Sequence, residues 1–339
     1  MQIWIPAIKT GSGSDVYVER LAESLSRLGV TVQIQWFAHY FELCPWLLRV
    51  VKPPPHTDII FANSWSAIGF SHPPIPLVTC IHHCVHDPNY RPFKSWLQAV
   101  YHRWLILPFE QAGLACSSAL VTGSRFTQQT VSRLFQCPPP QLIGYAIDTA
   151  HFKPAPIKNA TTPYKLLFIG NPSKRKGFDL LPRIMQQLGS DFRLYFTSGL
   201  RQDDLASHIP YAECVGALST EQLIKIYQDC DALLFPTRYE GFGYVVAEAM
   251  ACGLPVVSSA CASIPELLDD EQGGFLCPVD AVDAFVEKIR LLQANPERAS
   301  AMGHYNRQQA LEKFSFERMA QAYKNLFEQI LDSHSDKIR

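Results

Sequence analysis

The sequence predicts an α/β chain of two Rossmann-like domains, each with a doubly wound parallel sheet, facing each other across a cleft. Two observations predict this. Short apolar segments alternate with amphipathic helical ones, the pattern of βαβ units. The alternation breaks once, in the proline-containing run GYAIDTAHFKPAP over 144–156, and then begins again. A length of 339 residues suits two domains that each bury a core. The expected division is 1–148 and 149–315, with the linker near Asp148 as hinge.

In the first domain, Ile3-Trp4-Ile5 reads as a strand, followed by the loop Gly11-Ser12-Gly13-Ser14-Asp15. A helix follows over 16–28, with Leu21, Leu25 and Leu28 at helical spacing, and Gly29 stands where a helix end takes a left-handed residue. Strands are predicted at 31–36, 58–61, 77–81, 119–122 and 141–143. In the second domain the strand Lys165 to Ile169 leads into the loop 170–177 and a helix from about Phe178. Further strands are expected at 193–196, 232–235 and 255–258. A last helix, about 316–331, carries Met319, Ala322, Tyr323, Leu326 and Ile330 on one face and must cover apolar surface.

Composition narrows the function. Hydrophobic residues make up 47% and charged residues 18%, as in a globular chain. A formal net charge of -1, without a long run of Lys or Arg, disfavours nucleic acid as a partner. The apolar run Met1 to Pro6 is too short for a secretory signal, and no stretch is apolar enough to span a bilayer. Ten scattered cysteines without a C-x-x-C pair suit a reducing cytoplasm. Cys80, His82, His83, Cys84 and His86 lie close together, but structural zinc sites draw on two separated pairs, so no metal is expected.

The chemistry concentrates in Asp231 to Ser259, DALLFPTRYEGFGYVVAEAMACGLPVVSS. A strand ends at Pro236, the turn Glu240-Gly241-Phe242-Gly243 follows, and a helix runs from Tyr244 to Gly253. A helix opening on a Gly-x-Gly turn offers N–H groups and a positive dipole end to phosphate. Glu240 and Glu248 flank that site, and a carboxylate beside phosphate needs a partner such as paired ribose hydroxyls. The loop Gly170-Asn171-Pro172-Ser173-Lys174-Arg175-Lys176-Gly177 adds three cations, which would stabilise a departing diphosphate without metal. Asp229-Cys230-Asp231 matches a metal-binding D-x-D, but stands at a helix end entering a buried strand and is read as structural. Gly11-x-Gly13 fails as a dinucleotide fingerprint, because Val16 stands where the third glycine belongs.

EGFGYVVAEAMACGLPVV, with Glu240 and Glu248 eight positions apart, resembles the signature of the family 4 retaining glycosyltransferases, also called glycosyl transferases group 1, of GT-B fold. FIGNPSKRKGFDLL, GALSTEQLIKIYQDCDALLFPT and IPELLDDEQGGFLCPVD resemble the same family's donor domain. The resemblance implies that Glu248 holds the donor ribose and Glu240 contacts the transferred sugar. Backbone amides of Gly241, Phe242, Gly243, Tyr244 and Val245 would hold sugar and diphosphate, with Gly170 and Gly216 also in the donor site. Lys176 fits the family's lysine. Asn171 stands in place of its arginine, leaving that role to Arg175 or Lys174. Ser12-Gly13 replaces the family's paired glycines, with Gly13 near donor phosphate or acceptor. A histidine ending strand 77–81 would meet the sugar's primary hydroxyl; register favours His82, with His83 second. Asn63 and Trp65 would touch acceptor. The C-terminal helix, 316–333, would return to the first domain.

The resemblance thus implies retaining transfer of a hexose from a nucleoside diphosphate sugar to a glycan or lipid-linked acceptor, with no cofactor besides that donor substrate. A GT-B nucleotide-sugar epimerase and a non-catalytic sugar-binding protein are the alternatives. RPFKSWLQAVYHRWLILPF over 91–109, with Trp46 to Lys52, mixes aromatic and basic residues. It reads either as an ordinary domain helix or as a peripheral contact with anionic lipid at the inner membrane face.

Overall fold

The computed structural model describes residues 1–156, 162–198 and 208–338. The chain divides into two compact units: Met1–Ala146 together with the segment from Ser315 on, and Ile147–Phe314. Each holds a six-stranded parallel sheet, the two-fold α/β repetition that the sequence pattern predicts. Among the described residues, no helix is long and apolar enough to cross a membrane.

The first unit runs β1 (Gln2–Ile8), α1 (Gly13–Arg27), β2 (Thr31–Phe37), β3 (Ile59–Asn63), β4 (Leu77–Ile81), α2 (Trp96–Tyr101), α3 (Leu107–Cys116), β5 (Ala119–Thr122), α4 (Arg125–Phe135) and β6 (Gln141–Leu142). The sheet order is β2-β1-β3-β4-β5-β6. β1, β3 and β4 are buried along nearly their whole length, as strands covered on both faces must be. β1 is longer than expected and passes through Pro6. The Gln2 carbonyl faces β3, accepting from Asp58 N–H, so even-numbered residues turn that way. The β1–β3 register ends at Trp4↔Ile60, so Pro6 lacks its N–H where that ladder has already stopped.

α1 starts three residues before the expected Val16, because the Ser12 side chain caps Ser14 N–H. It ends in a Schellman motif: Gly29, at φ +76°, donates to Ser26 O, and Val30 donates to Leu25 O. The C-terminal helix (Phe316–Ile338) packs on α1 and on β3. Arg27 lies over the Phe316 ring at 4.9 Å, and Phe61 meets Tyr323 edge-on at 5.5 Å. Its buried stripe is Met319, Ala320, Tyr323, Leu326 and Phe327. Ala322 and Ile330, expected in that stripe, are half-buried at its margin.

The second unit runs β7 (Tyr164–Phe168), α5 (Leu181–Leu188), β8 (Phe192–Phe196), β9 (Ala212–Cys214), α6 (Thr220–Asp229), β10 (Ala232–Phe235), α7 (Tyr244–Ala251), β11 (Val256–Ser259), α8 (Ile264–Leu267), β12 (Gly274–Cys277), α9 (Val282–Ala294) and α10 (Pro296–Lys313). The order is β12-β11-β10-β7-β8-β9. β9 and β12 are edge strands of three and four residues, too short to show a period. Gly274 lets β12 lie against β11: a Cβ there would stand 1.9 Å from Val256 O.

Both orders reverse direction at one point, between β1 and β3 in the first unit and between β7 and β10 in the second. In open α/β sheets the loops leaving the carboxyl ends of the strands diverge at such a switch point and leave a crevice for ligand.

Candidate functional site

In the second unit, loop 170–177 after β7 and turn 236–243 after β10 meet at the switch point. Gly177 makes this approach feasible: it sits at φ +73°, and a Cβ there would stand 1.8 Å from Pro236 O. Arg238 N–H donates to Arg175 O at 2.8 Å, and the Arg238 guanidinium bonds Lys174 O. The same guanidinium grips both Asp179 oxygens at 2.7 and 2.9 Å and Asp280 at 2.6 Å. The cation loop is thereby fastened to the turn that carries Glu240.

Glu240 and Glu248 are both buried, at 7% and 6% exposure, which rules out solvated helix-end carboxylates. Lys176 Nζ reaches Glu240 Oε1 at 2.6 Å, and Arg175 Nη1 lies 3.3 Å from the same oxygen while donating to Tyr239 O at 2.8 Å. The Thr237 hydroxyl stands 3.0 Å from that oxygen too. Burial pushes the Glu240 pKa up, but Lys176 and Arg175 outweigh it and hold the carboxyl below its usual range. Burial also lowers the Lys176 pKa, against the pull of Glu240. Of the two candidates for the missing arginine, Arg175 turns to Glu240, whereas Lys174 is exposed.

Gly243 opens α7 at φ +105°, and a Cβ there would press to 2.9 Å on Ile264 Cδ1. Ser263, wholly buried, bonds Glu240 O at 3.0 Å and Phe242 O at 2.7 Å, fixing the turn. Tyr227 donates toward Glu248 Oε2 at 3.1 Å. Sequence reasoning missed Arg238, Ser263 and Tyr227. Tyr244 and Val245 form the first turn of α7, with Gly241 and Phe242 ahead of it. Gly170 leads out of β7, its N–H on Thr197 Oγ1 at 2.9 Å, and Gly216 follows β9 at φ +70°. Both lie at the carboxyl edge of this sheet. Asp231 is occupied structurally, exchanging hydrogen bonds with the Lys165 backbone, and Asp229 is exposed beside Lys225.

The first unit holds a pocket at its own switch point, lined among others by Thr10, Asp15, Glu42, Asn63, Trp65 and His82. Asn63 Oδ1 accepts from Trp65 N–H at 3.0 Å, and Trp65 Nε1 donates to Glu42 O at 2.8 Å. His82 Nδ1 is 2.6 Å from the Tyr145 hydroxyl, and its ring meets Tyr17 edge-on. Tyr17 in turn bonds Tyr323 of the C-terminal helix. Burial, with the neighbouring His83, pushes the His82 pKa down to about 3. His83 is exposed against Tyr90 and does not line this pocket. Gly13, the first residue of α1, is exposed and also outside the lining.

In the loop before α1, Asp15 accepts from Thr10 and Gly11 N–H. The lining residues include two carboxylates and no Lys or Arg. In the Cys80–His86 cluster, His86 bonds buried Glu110 at 2.8 Å and burial pushes the Cys80 thiol up to about 12. Among the described residues no group of three or more His, Cys, Asp or Glu could hold a metal.

Residues 151–309, within the second unit, match the family Glycosyl transferases group 1. The chain is 27% identical to an uncharacterized glycosyltransferase of Methanocaldococcus jannaschii, over 49% of this chain and 48% of that protein. It is 26% identical to alpha-maltose-1-phosphate synthase of Mycobacterium tuberculosis, over 65% of each. The matches thus span from about half to just under two thirds of these relatives' length. Sucrose-phosphate synthase from Thermosynechococcus elongatus superposes with a TM-score of 0.83 at 19% identity, covering 98% of this chain and 99% of that one. Anabaena HepE, solved with UDP and glucose, gives 0.76 at 16%, covering 97% and 99%. The fold is GT-B.

His82 yields a pH prediction. Its folded pKa, near 3, lies below the unfolded value of about 6.5. As pH falls from 6.5 toward 3 the unfolded chain gains a proton that the folded one refuses, so stability drops by about 1 kcal/mol per pH unit. His82→Gln removes this term. Urea unfolding at pH 7 and pH 4.5 should show the variant gaining on the wild type as pH falls; parallel curves would mean that His82 titrates normally.

Proposed function

We propose that the chain is a retaining, metal-independent hexosyltransferase of glycosyltransferase family 4. It moves a hexose from a nucleoside diphosphate sugar to a hydroxyl of a glycan or glycolipid acceptor, in the assembly of cell-surface polysaccharide or lipopolysaccharide. The observation that carries this reading is buried Glu240, held by Lys176 and Arg175 at the β7/β10 switch point, with Glu248 further along α7. The family match over the second unit and the UDP-glucose with which the fold relative HepE has also been solved support it.

Electrostatics allot the substrates. The dianionic diphosphate goes to the second unit, where Lys176, Arg175 and the opening of α7 supply positive potential. Glu248 takes the ribose hydroxyls and Glu240 the sugar. The first unit's pocket, carrying two carboxylates and a neutral His82, suits a hydroxyl-rich acceptor and repels phosphate. Asn63 and Trp65 face that acceptor, His82 meets the primary hydroxyl of the transferred sugar, and Asp15 already takes the Thr10 and Gly11 amides of the loop before α1.

As the bond from the anomeric carbon to the diphosphate oxygen breaks, negative charge grows on that oxygen, and Lys176 stabilises it. The acceptor hydroxyl attacks from the same face, forming the new glycosidic bond, and its proton passes to the departing diphosphate. That geometry retains the anomeric configuration and calls for no protein nucleophile or metal. The reaction is set in the cytoplasm, with a peripheral membrane contact where the acceptor is lipid-linked.

Three outcomes test this. Glu240→Ala should cut transfer at least a hundredfold while nucleotide affinity, read by thermal shift, changes less than about threefold; full activity would refute its role. Glu248→Ala should weaken binding of UDP-, GDP- or ADP-sugars about tenfold, the scale of a lost hydrogen bond to a charged group; unchanged affinity would remove the ribose contact. EDTA should leave transfer intact, and complete loss restored by a divalent ion would overturn the metal-independent step.

A further inference from the structure

The first unit exposes a cluster of large apolar side chains that its core does not use. On α2 and the π turn after it, Trp96 is 73% and Trp104 74% exposed, with Leu97 and Val100 between them and Leu105 directly after. Trp96, Val100 and Trp104 recur every four residues and so share a face. A second exposed group, Tyr40, Leu43, Leu47 and Val50, stands on the two short turns after β2. The two groups are fastened side by side: the Tyr101 hydroxyl reaches Glu42 O at 3.1 Å and Leu43 O at 2.9 Å, and the Trp46 ring lies 5.5 Å from Phe109. Monomeric soluble proteins rarely leave so many large apolar side chains open together.

The charge around this surface is mainly positive, with the partly exposed Glu42, between Tyr40 and Leu43, as an acidic exception. Segments 43–57 and 88–109 contain no Asp or Glu, yet carry Arg49, Lys52, Arg91, Lys94 and Arg103. Of these, Arg49, Lys52, Arg91 and Arg103 are exposed. Exposed indoles and leucines fringed by cations match the boundary of an anionic bilayer, where aromatic rings sit at headgroup depth and cations meet lipid phosphates.

We infer that this surface docks the protein on an anionic lipid bilayer. Glu42 belongs to both places: it lines the acceptor pocket, while its carbonyl is held by Tyr101 of the docking face and by Trp65 of the pocket. Docking therefore brings lipid-borne hydroxyls beside the pocket, so the acceptor is membrane-anchored. This last step rests on the transferase reading; the docking itself does not.

The test is co-sedimentation of the full chain with vesicles of phosphatidylcholine alone, or with one third phosphatidylglycerol, at low and high salt. The chain should sediment with the anionic vesicles and detach as salt rises. Arg103→Glu should lower partitioning about fivefold or more, and Trp96→Ser with Trp104→Ser about tenfold or more. Both variants, altered at exposed positions, should keep the wild-type melting temperature and nucleotide-sugar affinity. Absence of vesicle binding would overturn the inference, as would equal, salt-insensitive binding to both lipids. So would a dimer that the tryptophan variants turn into monomer without any lipid binding, because a second copy would then cover the face. No donor is used in this assay, so its failure leaves the transferase reading standing. A chain that binds vesicles but no nucleotide sugar would sink that reading alone.

Discussion

A carboxylate cannot be buried alone, and in the second unit this constraint organises everything around it. Taking Glu240 out of water costs several kcal/mol, which only close cations and hydrogen bonds offset. Lys176, Arg175 and Thr237 provide them on one oxygen. To deliver two cations from a loop five dozen residues away in sequence, the backbone after β7 must run against the end of β10. Only a residue without Cβ fits there, which is why position 177 is glycine. Arg238 then ties the loop down through two aspartates and the backbone of both segments. The cations stand ready before any ligand arrives, so their ordering cost falls on folding rather than on binding.

That cluster also explains what the sequence made legible. The apolar strands, the glycine-bracketed turn and the acidic pair lie in one short stretch, and local spacing reveals them. Lys176 was visible because glycines bracket its loop. The identity of the second cation was not, since Asn171 occupies the familiar position; only the fold shows Arg175 turned inward and Lys174 outward. Ser263, Tyr227 and Arg238 had no signal of their own. Each acts through hydrogen bonds or ion pairs to residues distant in sequence, and such contacts leave no period in a sequence. β9 and β12 were hidden for a different reason: edge strands of three or four residues bury too little to pattern their side chains.

The first unit shows a milder version of the same limit. Leucine spacing gave the body of α1, but its start depends on Ser12 capping Ser14, which places Gly13 inside the helix. His82 was found from its place at a strand end. Its environment was not: Tyr145 at its Nδ1, Tyr17 across its ring, and Tyr17 joined to Tyr323 near the end of the chain. These rings bury His82 enough to keep it neutral through the physiological range. The C-terminal helix thus does more than cover apolar surface, because its Tyr323 closes the network that sets the orientation of a pocket residue.

The two switch points carry opposite electrostatics on one topology. In the second unit the loops bring two cations to a buried carboxylate. In the first, Asp15 uses its charge to close the loop before α1, Glu42 has its pKa raised by burial, and the lining residues include no cation to balance either. A dianionic ligand at about 5 Å from an unbalanced carboxylate loses on the order of several kcal/mol at protein-surface dielectric. The same pocket welcomes neutral hydroxyls, which donate to carboxylates. Sheet topology therefore makes the two crevices, and the side chains that the loops carry give them opposite polarity.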